Sequence, residues 1–175
     1  MDEKNEKSEP VILRNGTQVY PEQMIEFEKI IQILIDRIPG QLIILLDRNG
    51  QVVTRAGECD PFRLIAFGSL ISADLAASQA IAEYSDEYQD TQTILREGKQ
   101  FDSLISEAGD HLILFVQFST QISLGWARLL VKKASKEIGE IFSKSHPASS
   151  PGLPKDDKFV SSIDDELKKI WNTNK

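Results

Sequence analysis

The chain has 175 residues, of which 41% are hydrophobic and 27% charged, with a formal net charge of −7. That length supports one ordinary domain with a real core and is too short for two full ones. The acidic balance excludes a general nucleic-acid binder and a polybasic lipid attachment, while a single cysteine, Cys59, excludes an internal disulfide or a Cys-rich zinc site.

Residues 1–20 carry four acids against three bases and few large apolar groups, so a flexible acidic tail is expected there. The first seven residues are charged where a signal peptide needs an apolar stretch, and a soluble, cytoplasmic protein is the expectation. From Pro21 to Ile38 the pattern changes. Met24, Phe27, Ile31, Leu34 and Ile38 recur at spacings of three and four, with a proline and acids near the start, which predicts a helix ending at Pro39-Gly40. Leu42–Leu46 then reads as a strand covered on both faces, and Gln51–Arg55 as its returning partner. Between them, Asp47-Arg48-Asn49-Gly50 carries the Asn-Gly of a tight hairpin. A calcium loop beginning at Asp47 would need glycine where Val52 stands, so the hairpin is the better reading.

Asp60-Pro61 opens a long helix running to about Tyr84, with Asp60 as N-cap. Between Pro61 and Ala82 only Arg63 and Asp74 are charged. Phe62, Leu64, Ile65, Phe67, Leu70, Ile71, Leu75 and Ile81 cover more than one face, and a helix apolar all round must be buried all round. A domain this small covers one side with its own sheet. The run of small residues from Gly68 to Ala80 would let a second subunit approach closely on the other. The longest unbroken apolar stretch, Leu64 to Ala73, is half the length of a membrane span of about 20 residues, so membrane insertion is not expected.

Three strands are predicted next, at Thr91–Glu97, Phe101–Glu107 and His111–Phe118, separated by glycine-bearing turns. A last core helix covers about Ser123 to Ser143, with Leu124, Ala127, Leu130 or Val131, Ala134 and Ile138 inward and Arg128, Lys132 and Lys136 forming a basic stripe. Residues 144–158 have a Pro/Ser linker composition, and within 159–175 a short amphipathic helix is expected. No catalytic, metal or cofactor site is expected. Glu97-Gly98-Lys99 lacks the spacing of a phosphate loop, two histidines are too few for a nitrogen-rich metal site, and Glu58 and Asp60 flank Cys59 and oppose its use as a nucleophile.

The order helix, two-strand hairpin, long helix, three-strand meander, helix resembles the Roadblock / dynein-light-chain family, in its bacterial branch of Ras-like GTPase regulators. The likeness rests on Ile38-Pro39-Gly40, the run Leu45-Leu46-Asp47-Arg48-Asn49-Gly50-Gln51-Val52-Val53, Gly57, and Leu124-Gly125-x-x-Arg128, and places the domain at residues 21–143. It implies an α/β (α+β) fold with a five-stranded antiparallel sheet, one long helix on one face and two on the other, ordered α-β-β-α-β-β-β-α. It further implies a homodimer joined through the third strand and the long helices. The implied partner is a Ras-like small GTPase, bound as a scaffold or stimulated to hydrolyse GTP by reordering of its own switch elements. A module that senses small molecules or signals without a GTPase is the alternative. By position, Arg63, Phe67, Ala73, Asp74, Ala77 and Ser78 on the long helix are the candidate partner or dimer contacts, with Thr93 and Leu95 on the third strand.

Overall fold

The computed structural model describes residues 9–85 and 93–145. Its centre is a five-stranded antiparallel sheet in the order β4-β3-β7-β6-β5, formed by β3 (Gly40–Asp47), β4 (Val52–Gly57), β5 (Thr93–Arg96), β6 (Phe101–Ala108) and β7 (Leu112–Ser119). Helix α2 (Pro61–Tyr84) lies on one face, and α1 (Pro21–Arg37) and α3 (Leu124–Ser145) lie on the other. This is the expected architecture.

The two central strands explain the layering. Along β3, Leu42, Ile44 and Leu46 join Ile71 and Leu75 of α2, while Ile43 and Leu45 join the core under α1 and α3. On β7, Ile113 and Phe115 face α2, and Leu112, Leu114, Val116 and Phe118 face the opposite way. Both strands carry unbroken apolar runs, at residues 42–46 and 112–116, because both of their faces are covered.

The first twenty residues differ from expectation. Over the described part they form a two-stranded ladder, β1 (Val11–Ile12) with β2 (Gln18–Val19), and Leu13 and Val19 are buried in the core beneath α1. Sparse apolar residues suffice here because a hairpin with two-residue strands needs only one anchor on each arm. The helix α1 then starts without a Ser, Thr, Asp or Asn cap. Instead Gln23 accepts the Tyr20 N–H at 3.0 Å and donates through Nε2 to the Ile141 and Phe142 carbonyls near the end of α3. One buried amide thereby joins the two helices. Helix α3 runs two residues past its expected end, and the stretch from 146 onward, including the helix expected within 159–175, lies outside the described residues.

Both hairpin turns at one end of the sheet press against a helix. In the first, Asp47 is fully buried and its Oδ1 accepts the Asn49 and Gln51 N–H groups, while Gly50 takes a φ of +82°. Gly50 meets Gly68 of α2 so closely that a Cβ built on Gly68 would stand 2.3 Å from the Gly50 carbonyl oxygen. On the other face, Gly109 of the β6–β7 turn meets Gly139 of α3, where an added Cβ would lie 2.9 Å from the Gly109 nitrogen. Only glycine on both sides permits either approach.

Candidate interaction surface

Helix α2 is built to be stable and to leave one side bare. Asp60 Oδ1 accepts the Phe62 N–H at 2.8 Å and the Arg63 N–H at 3.3 Å, and Pro61 follows in the first helical position. The side facing the sheet is a narrow spine of Gly68, Ile71 and Leu75, assisted by Phe67, whose ring meets Phe115 edge-on at 5.0 Å between centroids. The opposite arc carries Phe62 at 87% exposure and Tyr84 at 97%, with Ala66, Ser69, Ala73, Ala77 and Ala80 between them and Ile65, Leu70 and Ile81 at its borders. As expected, the chain's own sheet covers one side of this helix. Among the described residues nothing covers the rest of it, an arrangement that marks an interaction site.

The apolar reach of α2 was also underread in the sequence. Its 24 residues are long and apolar enough, by length and composition, to cross a membrane. Counting the run as ending at Asp74 overlooked that Ala, Gly and Ser continue the apolar composition past a single charge.

Polar ties on both flanks set which arc faces outward. On one flank, Ser72 Oγ donates to the Arg48 carbonyl. Arg48 itself donates to the Asp110 carbonyl at 3.0 Å, to Gln79 Oε1 at 3.2 Å and to Glu107 Oε1 at 2.7 Å, and Gln79 Nε2 donates to the same Glu107 oxygen. On the other flank, Arg96 at the end of β5 makes two parallel bonds to Asp74, Nε to Oδ2 at 2.9 Å and Nη2 to Oδ1 at 2.6 Å. The hydrogen bond to Asp74, and then that residue's negative charge, hold the Arg96 guanidinium pKa above its ordinary value. With ties at both edges, α2 cannot roll, and its apolar arc is preformed.

The candidate residues fall into two groups. Arg63, Ala73 and Ala77 are exposed and bear on the open arc, and Ser78 is half-buried at its edge. Phe67 and Asp74 are also engaged inside the chain, with Phe115 and Arg96 respectively. Phe67 falls on the spine and Asp74 on the flank. Thr93 and Leu95 lie on β5, which pairs with β6 alone and so forms one edge of the sheet among the described residues. Leu95 leans on the core of the α1/α3 face and Ile94 on the α2 face. Phe62, Leu70, Ile81, Tyr84 and Arg96 were missed; laying α2 out at about 100° per residue groups the first four with Ala73 and Ala77.

Other features are less organised. A cleft between α1 and α3 is lined by Glu26, Lys29, Lys133, Lys136, Glu137, Glu140 and Lys144 over Ile30, Ile33 and Ile141. Arg128, Lys132 and Lys136 of the basic stripe are all exposed on α3. A second cleft by Arg55, Gly57 and Asp60 includes Cys59, and His111 lies against the Phe142 ring at 5.3 Å between centroids. Among the described residues, no group of three or more His, Cys, Asp or Glu is placed to hold a metal ion.

No family model matches the chain, and no curated protein matches it. Solved structures do. MglB of Myxococcus xanthus is 27% identical with a TM-score of 0.66, covering 72% of this chain and 94% of its own. The gliding protein MglB of Thermus thermophilus is 23% identical with a TM-score of 0.65, covering 78% and 99%. A Roadblock/LC7 domain of Streptomyces avermitilis is 18% identical with a TM-score of 0.57, covering 63% and 92%. The chain has the Roadblock fold that its sequence resembles, and MglB and Roadblock/LC7 proteins are among its structural neighbours.

Proposed function

We propose that this chain is a homodimeric, cytoplasmic regulator or scaffold that binds a Ras-like small GTPase. The observation that carries the reading is the apolar arc of α2, bare among the described residues, beside the edge of β5 that no described strand pairs, with ties on both flanks. A second copy fits this surface better than lipid does. Ser72, Gln79 and Asp74 are bonded back to the sheet, so placing α2 in a bilayer would break those ties and strand their partners. The dimer would present its surface to the GTPase and act by reordering the GTPase's own switch elements, with no side chain of this chain entering the chemistry. The likeness to MglB supports the bacterial form of this role.

The test has two steps. Solution mass at micromolar concentration should be that of two copies. Capture of the host's Ras-like GTPase, loaded with GDP or with a GTP analogue, should then show binding in at least one nucleotide state, and hydrolysis rates with and without the chain separate stimulation from scaffolding. Failure to bind in either state refutes the GTPase assignment.

A further inference from the structure

The tie between Asp74 and Arg96 sits where the two halves of the proposed self-association surface meet. Asp74 lies one turn after Leu70 and seven residues before Ile81, both of which are about two-thirds exposed at the border of the bare arc. Arg96 is the last residue of β5, the strand whose outer edge is open among the described residues. The side chains are unequally wet: Asp74 is 22% exposed and Arg96 61%. The carboxylate already stands mostly out of water within the single chain, so it is the partner that depends on its cation when the arc is covered. In sequence, residues 83–110 carry eight acids and two bases, Arg96 and Lys99.

We infer that Arg96 is the residue that lets this surface close on a second copy of the chain: it neutralises Asp74 at the rim of the seam and holds β5 in line with α2. This rests on the self-association reading above. A carboxylate stripped of water without its cation opposes closure, whereas a pair removed as a unit leaves nothing uncompensated. The consequence is an asymmetry. Losing Arg96 strands Asp74, but losing Asp74 leaves Arg96 free to stay in water.

Sedimentation equilibrium of the full chain separates these cases, using the wild type, Arg96→Met, Asp74→Leu and the double variant. Arg96→Met should weaken self-association roughly tenfold or more. Asp74→Leu and the double variant should stay within about threefold of wild type, since neither leaves an unpaired buried charge. Thermal unfolding of each variant at one fixed concentration reads stability alongside. A purely structural tie would make the two single variants equally weak, and that result, or an Arg96→Met variant that associates like wild type, overturns the inference while leaving the dimer intact. A wild type that is monomeric throughout overturns the self-association reading itself.

Discussion

Replacing Gly68 by alanine sets two effects of opposite sign against each other. Alanine is the better helix former, and in an isolated helix the change would stabilise by about 1 kcal/mol. In this fold the new Cβ would stand 2.3 Å from the Gly50 carbonyl oxygen, where ordinary contact begins at 3.4 Å. The opposing atom is backbone, in a turn held by two hydrogen bonds to the buried Asp47 carboxylate. It cannot swing away as a side-chain tip would, so α2 must lift by more than an ångström and loosen Ile71, Leu75 and the Phe67–Phe115 contact. Overpacking of this kind costs about 1–3 kcal/mol and the lost packing adds to it, leaving a net loss of about 1–2 kcal/mol after the gain in helix propensity. For a chain of this size that lowers Tm by roughly 2–8 °C. The measurement is thermal unfolding by circular dichroism at one fixed protein concentration, because self-association makes Tm depend on concentration. Gly125→Ala is the control: only the Ser123 hydroxyl lies near its Cβ position, at 3.8 Å, so it should be neutral or mildly stabilising. A Gly68→Ala protein as stable as wild type would show that α2 does not rest on the turn backbone to backbone.

Other perturbations read other parts of the structure. Ala73→Arg or Ala77→Arg, in the middle of the bare arc, should yield a folded monomer, checked by light scattering; a surviving dimer contradicts the proposed seam. Gln23→Ala removes the amide that links α1 to the end of α3 and should cost about 1–3 kcal/mol in urea unfolding, since two carbonyls lose their donor. Arg48→Met leaves Glu107, 6% exposed, without its cation and should cost on the order of 1–3 kcal/mol, with Arg48 being partly solvated. The raised pKa of Arg96 means that folding favours its protonated form, so its contribution is present at every pH below the guanidinium range. Raising pH from 7 to 9 should therefore leave the Arg96→Met effect on self-association unchanged in sedimentation.

The element order was legible because period 2 and period 3.6 stay distinct in this chain. Leu42–Leu46 and the run from His111 read as doubly covered strands, and both are. The α2 helix was legible as too apolar for its own sheet, but the direction of its bare side was not. That direction depends on Gln79, Ser72 and Asp74 finding partners on Arg48, Glu107 and Arg96, which lie 22 to 31 residues away along the chain. Sequence spacing carries no signal for such pairs. The same limit hid Gln23, a polar residue on a core face whose partners come from the far end of α3, 118 and 119 residues on. The hairpin at residues 11–19 escaped because two-residue strands show no alternation.

The paired glycines at one end of the sheet have a consequence for how this fold can drift. Gly50 with Gly68, and Gly109 with Gly139, are each a contact in which neither side tolerates a Cβ. A substitution at one member is not rescued by shrinking the other, since the other is already glycine. Chains that seat both helices this closely must therefore keep all four positions, while surface residues change freely. The two glycine pairs, one joining the β3–β4 turn to α2 and the other the β6–β7 turn to α3, are the positions at which this packing is expected to resist substitution.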